Sequence, residues 1–426
     1  MTGDETLQLI RLFVALLGAT AVLVVVARRF ALPWSVTLFV LGLLVGSIGG
    51  VAPVEVTPQL VLVVLLPGLI FEAAYNIDAA VLRPSLAGVA LLAGPGVVVV
   101  AVGVAVVLSV AAGVPPAAGF VVGAIVSATD PAAVIASFKR LRAPRRLATF
   151  VEAESLLNDG TGIVIFTIAV GAATRPISVP EAVLSFLSIV VVSAAIGAVA
   201  GAIASWLIVR VGDHLVELTL SLVLAYGTYL AADAVHESGI IATAVAGLVL
   251  GNYGHRIGLR ARTIEALDVV WEFLAFLLTA VVFLVVGLTI RLPDLAAHVV
   301  AIGWAVVAVL AIRAALVYGT VGALNRVAHT AVPPIGMAWQ HIIFWSGLRG
   351  AVAIALALAL PIDFPNRTLV QSIVYGVVLF TLIVQATTAG TLMHRLGIRD
   401  RAADGDAADG DTGRGSAPAE QPTTGT

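Results

Sequence analysis

Residues 154–160, E-S-L-L-N-D-G, place ionisable and hydroxyl groups at helical spacing inside a strongly apolar stretch. Ser155 and Asp159 are four residues apart, so on a helix they share one face and their oxygens can approach one ion. Oxygen ligands of this kind suit hard cations. An ionised carboxylate in a bilayer costs roughly 2.5–3.5 kcal/mol even on the scale from insertion experiments. The motif therefore predicts the handling of cations or protons.

Three further charged residues are predicted at the same depth as Asp159. At a rise of about 1.5 Å per residue, Asp159 lies about 18 Å from the start of its apolar run, and Asp130 about 20 Å. On the same scale Arg349 lies about 21 Å and Glu72 about 22 Å from the start of their runs. All four positions fall near the middle of a hydrocarbon core about 30 Å thick.

Two of these charges lie where the apolar run is interrupted, in T-D-P at 129–131 and S-G-L-R-G at 346–350. Pro131 removes a backbone donor, so Thr129 can offer a carbonyl that is freed from helical hydrogen bonding. Such a carbonyl is a cation ligand. Asp130 can offset the exposed backbone dipoles of the interruption, so we expect it to organise the break rather than to bind the ion directly.

The elements that carry these residues must cross a membrane. The chain is 60% hydrophobic and 11% charged, whereas a soluble chain normally carries about 25% charged residues. It contains no cysteine, which excludes disulfides and thiolate metal sites. No G-x-x-x-x-G-K-[ST] phosphate loop is present, so nucleotide-driven transport has no support. We expect no cofactor, no nucleic-acid partner and no enzymatic activity, and we place the protein in the cell membrane.

Apolar runs near the length needed to cross the hydrocarbon, about 20 residues, predict thirteen membrane spans. They cover 7–27, 33–50, 57–76, 85–111, 117–137, 147–171, 180–209, 215–234, 239–253, 264–290, 295–322, 335–360 and 369–394. The first run is preceded by acids rather than by the basic region of a secretory signal, so it is predicted to be retained.

Basic residues predict the orientation, because they accumulate in cytoplasmic loops. Seventeen lie on one side: Arg28, Arg29, Arg83, Lys139, Arg140, Arg142, Arg145, Arg146, Arg210, Arg256, Arg260, Arg262, Arg326, Arg395, Arg399, Arg401 and Arg414. The opposite loops hold only Arg175, Arg291 and Arg367. The N-terminus is therefore predicted outside and the C-terminus in the cytoplasm.

The interrupted spans are the fifth and the twelfth, seven apart. An odd offset relates spans one to six and eight to thirteen as inverted repeats, an arrangement of secondary transporters in which broken helices meet at the midplane. The predicted fold is an all-α polytopic membrane protein with thirteen helices and two broken crossing helices. Residues 1–397 form the membrane domain. Residues 398–426, rich in acids, Gly, Ala and Thr, form a disordered cytoplasmic tail.

A set of ordered motifs resembles the sodium/proton exchanger branch of the monovalent cation/proton antiporters. They are L-L-P-G-L-I-F-E-A-A-Y (65–75), T-D-P (129–131), E-S-L-L-N-D-G-T-G (154–162), S-G-I-I-A-T-A-V-A-G-L-V-L-G-N (238–252), W-E-F-L-A-F-L-L (271–278) and G-L-R-G-A-V-A-I-A-L-A-L (347–358). The resemblance implies a homodimer that exchanges one monovalent cation for one proton by elevator-like alternating access.

The resemblance also implies roles for individual residues. The cation and the proton would share a site made by Asp159, Ser155, the Thr129 backbone and Glu72. Glu154 would pair with Arg349. Asn158 stands where relatives of the wider superfamily can carry a second aspartate, and an amide takes up no proton in this pH range. One proton per cation, and hence electroneutral exchange, is therefore expected.

Two points stay open at this level. Glu272 and Arg313 lie at depths of about 12 and 13 Å on consecutive spans, and we interpret them as a structural salt bridge. The sequence does not resolve sodium, lithium and potassium, because selectivity depends on fine cavity geometry. A potassium/proton antiporter and, less favoured, a cation channel are the alternative functions.

Overall fold

A computed structural model describes residues 34–47, 59–174, 178–327 and 334–398, together with Gly18 and Val22, and all regular secondary structure in these ranges is helical. The α-helices are α1 (Trp34–Ser47), α2 (Leu66–Tyr75), α3 (Ala79–Leu82), α4 (Leu86–Ala93), α5 (Pro95–Ala112), α6 (Pro116–Ser127), α7 (Ala132–Leu141), α8 (Arg145–Thr174), α9 (Val179–Val211) and α10 (His214–Asp233). They continue with α11 (Gly239–Val249), α12 (His255–Ile257), α13 (Ala261–Thr289), α14 (Leu292–Ala297), α15 (Val299–Val327), α16 (Met337–Trp345), α17 (Ala351–Ala359), α18 (Arg367–Phe380) and α19 (Thr387–Arg395). Short π-helical segments lie before α2 (Leu60–Leu65), after α11 (Leu250–Gly254) and between α18 and α19 (Thr381–Ala386), and a 3-10 turn (Arg83–Ser85) follows α3. The predicted all-helical membrane fold is confirmed.

Eight segments of the described chain are long and apolar enough to cross a bilayer. They are Ala79–Ala112, Pro116–Leu141, Arg145–Ala173, Val179–Val211, His214–Asp233, Ala261–Thr289, Val299–Arg326 and Arg367–Arg395. Shorter apolar helices occupy Trp34–Gly46, Val61–Tyr75 and Gly239–Gly254. Each of these segments coincides with a predicted span, and the predicted twelfth span coincides with α16 and α17.

Parts of the sequence prediction fall outside the described residues. These are the first span at 7–27, the basic residues Arg28 and Arg29, and the tail at 398–426 apart from Ile398. The count of thirteen spans, the orientation in the membrane and the disorder of the tail therefore stay predictions.

Local sequence signals explain where several helices start and stop. Proline, whose missing N–H is unneeded in a first helical turn, begins α5 and α6. Ser178 and Glu181 form a reciprocal capping box at the start of α9. Gly113 and Gly212 end α5 and α9 with positive φ angles of 65° and 72°, a backbone region that favours glycine.

The helices pack as two bundles. The first bundle contains α1, α2, α9, α10, α11 and α13, and the second contains α4 to α8 and α15 to α19. Helix α8 is the main element of the second bundle that also contacts the first, through α2, α9 and α11. The non-helical stretches that follow α6 and α16 both lie in the second bundle.

Glycines bring helices of the first bundle into backbone contact. A Cβ atom at Gly42 of α1 would overlap the carbonyl oxygen of Leu284 on α13, and one at Gly197 of α9 would overlap that of Ala242 on α11. Small residues allow such close approach, which is the usual way that membrane helices gain packing energy. Close backbone packing thus contributes to holding the first bundle together.

Candidate functional site

Two non-helical stretches of the second bundle interrupt predicted membrane spans, and these two stretches meet. One comprises residues 128–131 between α6 and α7, and the other comprises 346–350 between α16 and α17. The backbone N–H of Asp130 in the first stretch donates to the carbonyl of Leu348 in the second, at 2.9 Å. This bond satisfies backbone groups that a membrane interior leaves without water.

Charged side chains at this crossing face the helix ends whose dipoles they complement. Asp130 accepts hydrogen bonds from the N–H groups of Ala132 (3.0 Å) and Ala351 (3.4 Å), at the starts of α7 and α17. Arg349 donates from Nε to the carbonyl of Val126 (2.6 Å), near the end of α6. An acid at helix N-termini and a base at a helix C-terminus are both stabilising.

Thr129 is bound by two side chains of α8. Its N–H donates to Oδ1 of Asn158 at 2.9 Å, and Nδ2 of Asn158 donates to its Oγ1 at 2.7 Å. The hydroxyl of Ser155 donates to the Thr129 carbonyl oxygen. Asn158 also reaches the carboxylate of Glu154, at 3.3 Å. The E-S-L-L-N-D motif therefore fixes the interrupted backbone of the T-D-P motif.

Asp159 lies in the same place with an unused oxygen. It is 9% exposed, and no donor among the described residues forms a hydrogen bond to its Oδ1. Its neighbours on the chain place it in the same group, because Ser155 and Asn158 of the same helix both bind Thr129. A buried carboxylate oxygen without a donor is unusual, and it is suited to accept a proton or contact a cation.

Glu154 pairs with Arg313, and the predicted pair of Glu154 with Arg349 is wrong. Two guanidinium nitrogens of Arg313 reach the two carboxylate oxygens of Glu154 at 2.9 Å each, and the side chains are 8% and 3% exposed. Arg349 lines the same small cavity of about 10 Å³ as Glu154 but gives its hydrogen bonds to the carbonyls of Val126 and Gly347. The planar fork of Arg313 matches the carboxylate geometry in both bonds.

The predicted salt bridge between Glu272 and Arg313 is therefore also wrong. Arg313, besides binding Glu154, donates to the carbonyls of Ile343 (2.8 Å) and Phe344 (3.2 Å) on α16. Glu272 is mostly exposed and lies 3.8 Å from Lys139 of α7. The two residues belong to different bundles, Glu272 to the first and Arg313 to the second.

Glu72 stands with a second group of charges. Nδ2 of Asn76, one helical turn later, donates to its carboxylate at 2.8 Å. Lys139, Glu152 and Glu272 are the charged residues nearest in effect to Glu72, and the first and last of these form a pair of their own. Within the described ranges no hydrogen bond or ion pair joins Glu72 to Asp159. The sequence analysis missed Asn76, although its four-residue spacing from Glu72 was an available signal. It also missed Glu152, because the predicted depth of that residue in the membrane gave no signal.

The predicted residues thus divide into two sets. Thr129, Asp130, Glu154, Ser155, Asn158, Asp159 and Arg349 are brought together at the crossing, where Arg313 joins them. Glu72 and Glu272 lie apart from that set.

Comparison with known proteins decides the family. A family profile described as sodium/hydrogen exchanger, transmembrane, matches residues 12–395. The chain belongs to this family. It is 39% identical over 376 residues to the Na(+)/H(+) antiporter ApNhaP of Aphanothece halophytica, covering 87% of this chain and 71% of that protein. It is 38% identical over 368 residues to the low-affinity Na(+)/H(+) antiporter NhaS1 of Synechocystis sp., covering 86% and 70%.

A solved structure shows the same fold. The sodium proton antiporter MjNhaP1 of Methanocaldococcus jannaschii, at pH 8, superposes with a TM-score of 0.77 at 20% sequence identity, over 92% of this chain and 99% of that one. The predicted resemblance to the exchanger family is confirmed. Its members are transporters, so the chain is a multi-pass cell-membrane transporter and not an enzyme.

Proposed function

We propose that this exchanger-family protein is a secondary active antiporter that exchanges one sodium ion, or one lithium ion, for one proton. The names of its relatives support sodium/proton exchange. The observation that carries the proposal in this chain is the unused buried oxygen of Asp159 beside the oxygens of Thr129 and Ser155.

The charges at the crossing support the one-to-one count. Glu154 is neutralised by Arg313, and Asp130 and Arg349 sit at complementary helix ends. Asp159 is left with one negative charge that no described side chain offsets. Because an uncompensated buried charge is expensive, a single monovalent cation or a single proton is the natural partner. Asn158, engaged with Thr129 and unable to ionise, adds no second proton.

Competition at Asp159 gives coupling in this proposal. With a sodium ion bound, Thr129 contributes its carbonyl, Ser155 its hydroxyl and Asp159 a carboxylate. With a proton bound, Asp159 is neutral and the cation is excluded. The family resemblance implies Glu72 as a fourth ligand, but its carboxylate lies apart from these three groups and bonds to Asn76, so its part in the site stays a prediction. If the site crosses the membrane only when occupied by one of the two ions, the gradient of one drives transport of the other.

We propose further that the site moves by elevator-like alternating access. Each bundle is closely packed within itself, and α8, which carries Asp159, forms the boundary between them. At that boundary a Cβ atom on Gly160 would meet Ile241 of α11 at 2.8 Å. Thirteen spans with inverted repeats, in which α6–α7 and α16–α17 are the broken crossing helices, complete this proposal.

The homodimer that the resemblance implies is part of the proposal. Much of the α9 surface is apolar and exposed, including Val183, Leu187 and Val191. This face is available to lipid or to a second copy, and native mass spectrometry from mild detergent distinguishes a dimer from a monomer.

Proteoliposomes with a pH-sensitive dye test the function. Addition of sodium chloride outside acidic-inside vesicles should dissipate the pH gradient, lithium should act similarly, and Asp159→Asn should abolish the response. Asp159 is the unpaired carboxylate, so its loss should reduce the rate by at least about 100-fold, to background. Full activity of Asp159→Asn would overturn the site.

The same vesicles separate the alternatives. An equal or larger response to potassium would assign a potassium/proton antiporter, and sodium current without proton movement would assign a channel. Electroneutral exchange predicts that clamping the membrane potential leaves the rate unchanged. Current driven only by a pH gradient would contradict the one-to-one count.

A further inference from the structure

The non-helical stretch between α16 and α17 depends on partners from outside its own helix. The N–H of Leu348 bonds locally to the carbonyl of Ser346 at 2.8 Å, and its carbonyl accepts from Asp130. The next N–H, that of Arg349, donates to the side-chain oxygen of Thr381 at 3.1 Å. In this way a hydroxyl on the last membrane segment replaces a helical partner for the interrupted backbone.

Thr381 is well placed to hold that backbone. It is 1% exposed and begins the π-helical segment Thr381–Ala386, a geometry found often at functional sites. Its single hydroxyl proton has two acceptors, the carbonyls of Val378 (3.0 Å) and Arg349 (3.3 Å), while the oxygen accepts from Arg349. One side chain therefore contacts both the N–H and the carbonyl of Arg349.

A second side chain of the same segment reaches the other end of the stretch. Gln385 follows Thr381 by four residues, is fully buried, and its Nε2 lies 3.5 Å from the carbonyl of Trp345, where α16 ends. Thr381 and Gln385 together bracket the interrupted backbone from one side.

A short series of hydrogen bonds connects Thr381 to the proposed cation site. Thr381 fixes the Arg349 backbone, and the preceding carbonyl, that of Leu348, binds the N–H of Asp130. The peptide unit that supplies this N–H also supplies the carbonyl of Thr129, the proposed cation ligand. Because a peptide unit is planar and rigid, a shift of the second stretch would displace the Thr129 carbonyl directly.

We propose that Thr381 is a positioning residue for cation binding, which sets the Thr129 carbonyl through the contact between the two interrupted stretches. This inference rests on the proposed antiport. It predicts that loss of the Thr381 oxygen weakens cation binding and leaves the turnover of the bound site largely intact.

The experiment measures sodium-dependent proton movement in proteoliposomes for the wild type and four variants. Thr381→Val and Thr381→Ala remove the oxygen, and Thr381→Ser retains it. Thr387→Val is the matched control, because the Thr387 hydroxyl is exposed and bonds only to carbonyls of its own helix. Removal of one hydrogen bond is expected to raise the apparent KM for sodium about fivefold. Maximal rate should change by less than about twofold, and Thr381→Ser and Thr387→Val should match the wild type.

The outcomes are distinct. An apparent KM within about twofold of the wild type in either folded oxygen-deleted variant overturns the inference while the antiport proposal stands. If both oxygen-deleted variants fail to fold and Thr381→Ser folds, Thr381 serves stability alone and the inference is also overturned. Absence of sodium-dependent proton movement in the wild type would instead remove the proposed function itself.

Discussion

The two bundles differ in the charges that they bury. The first bundle brings backbones together through glycines, and its buried charge in the described residues is Glu217, which accepts a hydrogen bond from Thr263. The second bundle buries two acids and two arginines, Glu154, Asp159, Arg313 and Arg349, around two non-helical stretches. Close backbone contact through glycine also occurs in the second bundle, where a Cβ atom at Gly123 of α6 would overlap the Ala101 carbonyl oxygen of α5. The bundles therefore differ in their buried charges, which in the second bundle must be matched with one another.

This difference indicates which bundle can bind the transported ion. A buried charge is tolerated only when a partner compensates it. In the second bundle the compensation is complete for Glu154, shared with helix ends for Asp130 and Arg349, and missing for Asp159. The region that is costly to fold is therefore the region that can change its charge state with a transported ion.

The largest expected effect on stability comes from unpairing the second bundle. Arg313→Met removes the bidentate partner of Glu154 and the donor to the Ile343 and Phe344 carbonyls, so the apparent free energy of unfolding should fall by about 3–5 kcal/mol. Denaturant titration in mixed micelles measures the loss.

Glu154→Gln combined with Arg313→Met provides the control. The double variant carries no unpaired charge at this position, so it should recover part of the stability that Arg313→Met loses. Additive losses in the double variant would show that the ion pair is not what the arginine contributes.

The Glu154–Arg313 pair also shows how much of the site could be predicted from the sequence. By the same rise per residue, Glu154 lies about 10 Å into its span, close to the 13 Å of Arg313 and far from the 21 Å of Arg349. Depth therefore favoured the observed pair over the pair that the family resemblance suggested. Depth alone also allowed Glu272, at about 12 Å, as the partner of Arg313, and only the packing of the helices rules out that pair.

The sequence did not show how each helix is rotated about its axis or which helices pack against each other. Apolar runs and interrupted motifs located the helices and the stretches where α6 passes into α7 and α16 into α17. Nearly uniform hydrophobicity around these helices hides which face meets which neighbour. For that reason the sequence did not predict that α13 lies in the first bundle or that Glu272 contacts Lys139. It also did not predict the contact of Thr381 with Arg349.

A smaller effect is expected from widening the first bundle. A side chain at Gly42 would collide with the Leu284 carbonyl and approach Gly287 Cα at 3.0 Å, so Gly42→Val must separate α1 from α13. Overpacking of this kind should cost about 1–3 kcal/mol in the free energy of unfolding. Thermal unfolding in detergent reports the loss, and the apparent KM for sodium should stay at the wild-type value.

Gly303→Val is the matched control for Gly42→Val, because no atom of a neighbouring helix lies within 4 Å of a Cβ built at Gly303 on α15. It should leave the unfolding temperature nearly unchanged. A changed sodium KM in Gly42→Val with normal stability would mean that the first bundle shapes the site directly, which would blur the division between the bundles.

The smallest effect is expected where the two bundles touch through charge. Lys139 of α7 and Glu272 of α13 lie 3.8 Å apart with side chains 75% and 77% exposed, so their coupling should be below about 1 kcal/mol. A double-mutant cycle of Lys139→Gln and Glu272→Gln, read by unfolding at low and high salt, measures it. If the second bundle moves against the first during transport, this contact must break in every cycle, and a weak pair opposes that movement little. A coupling of several kcal/mol would instead tie the bundles together and contradict the proposed movement.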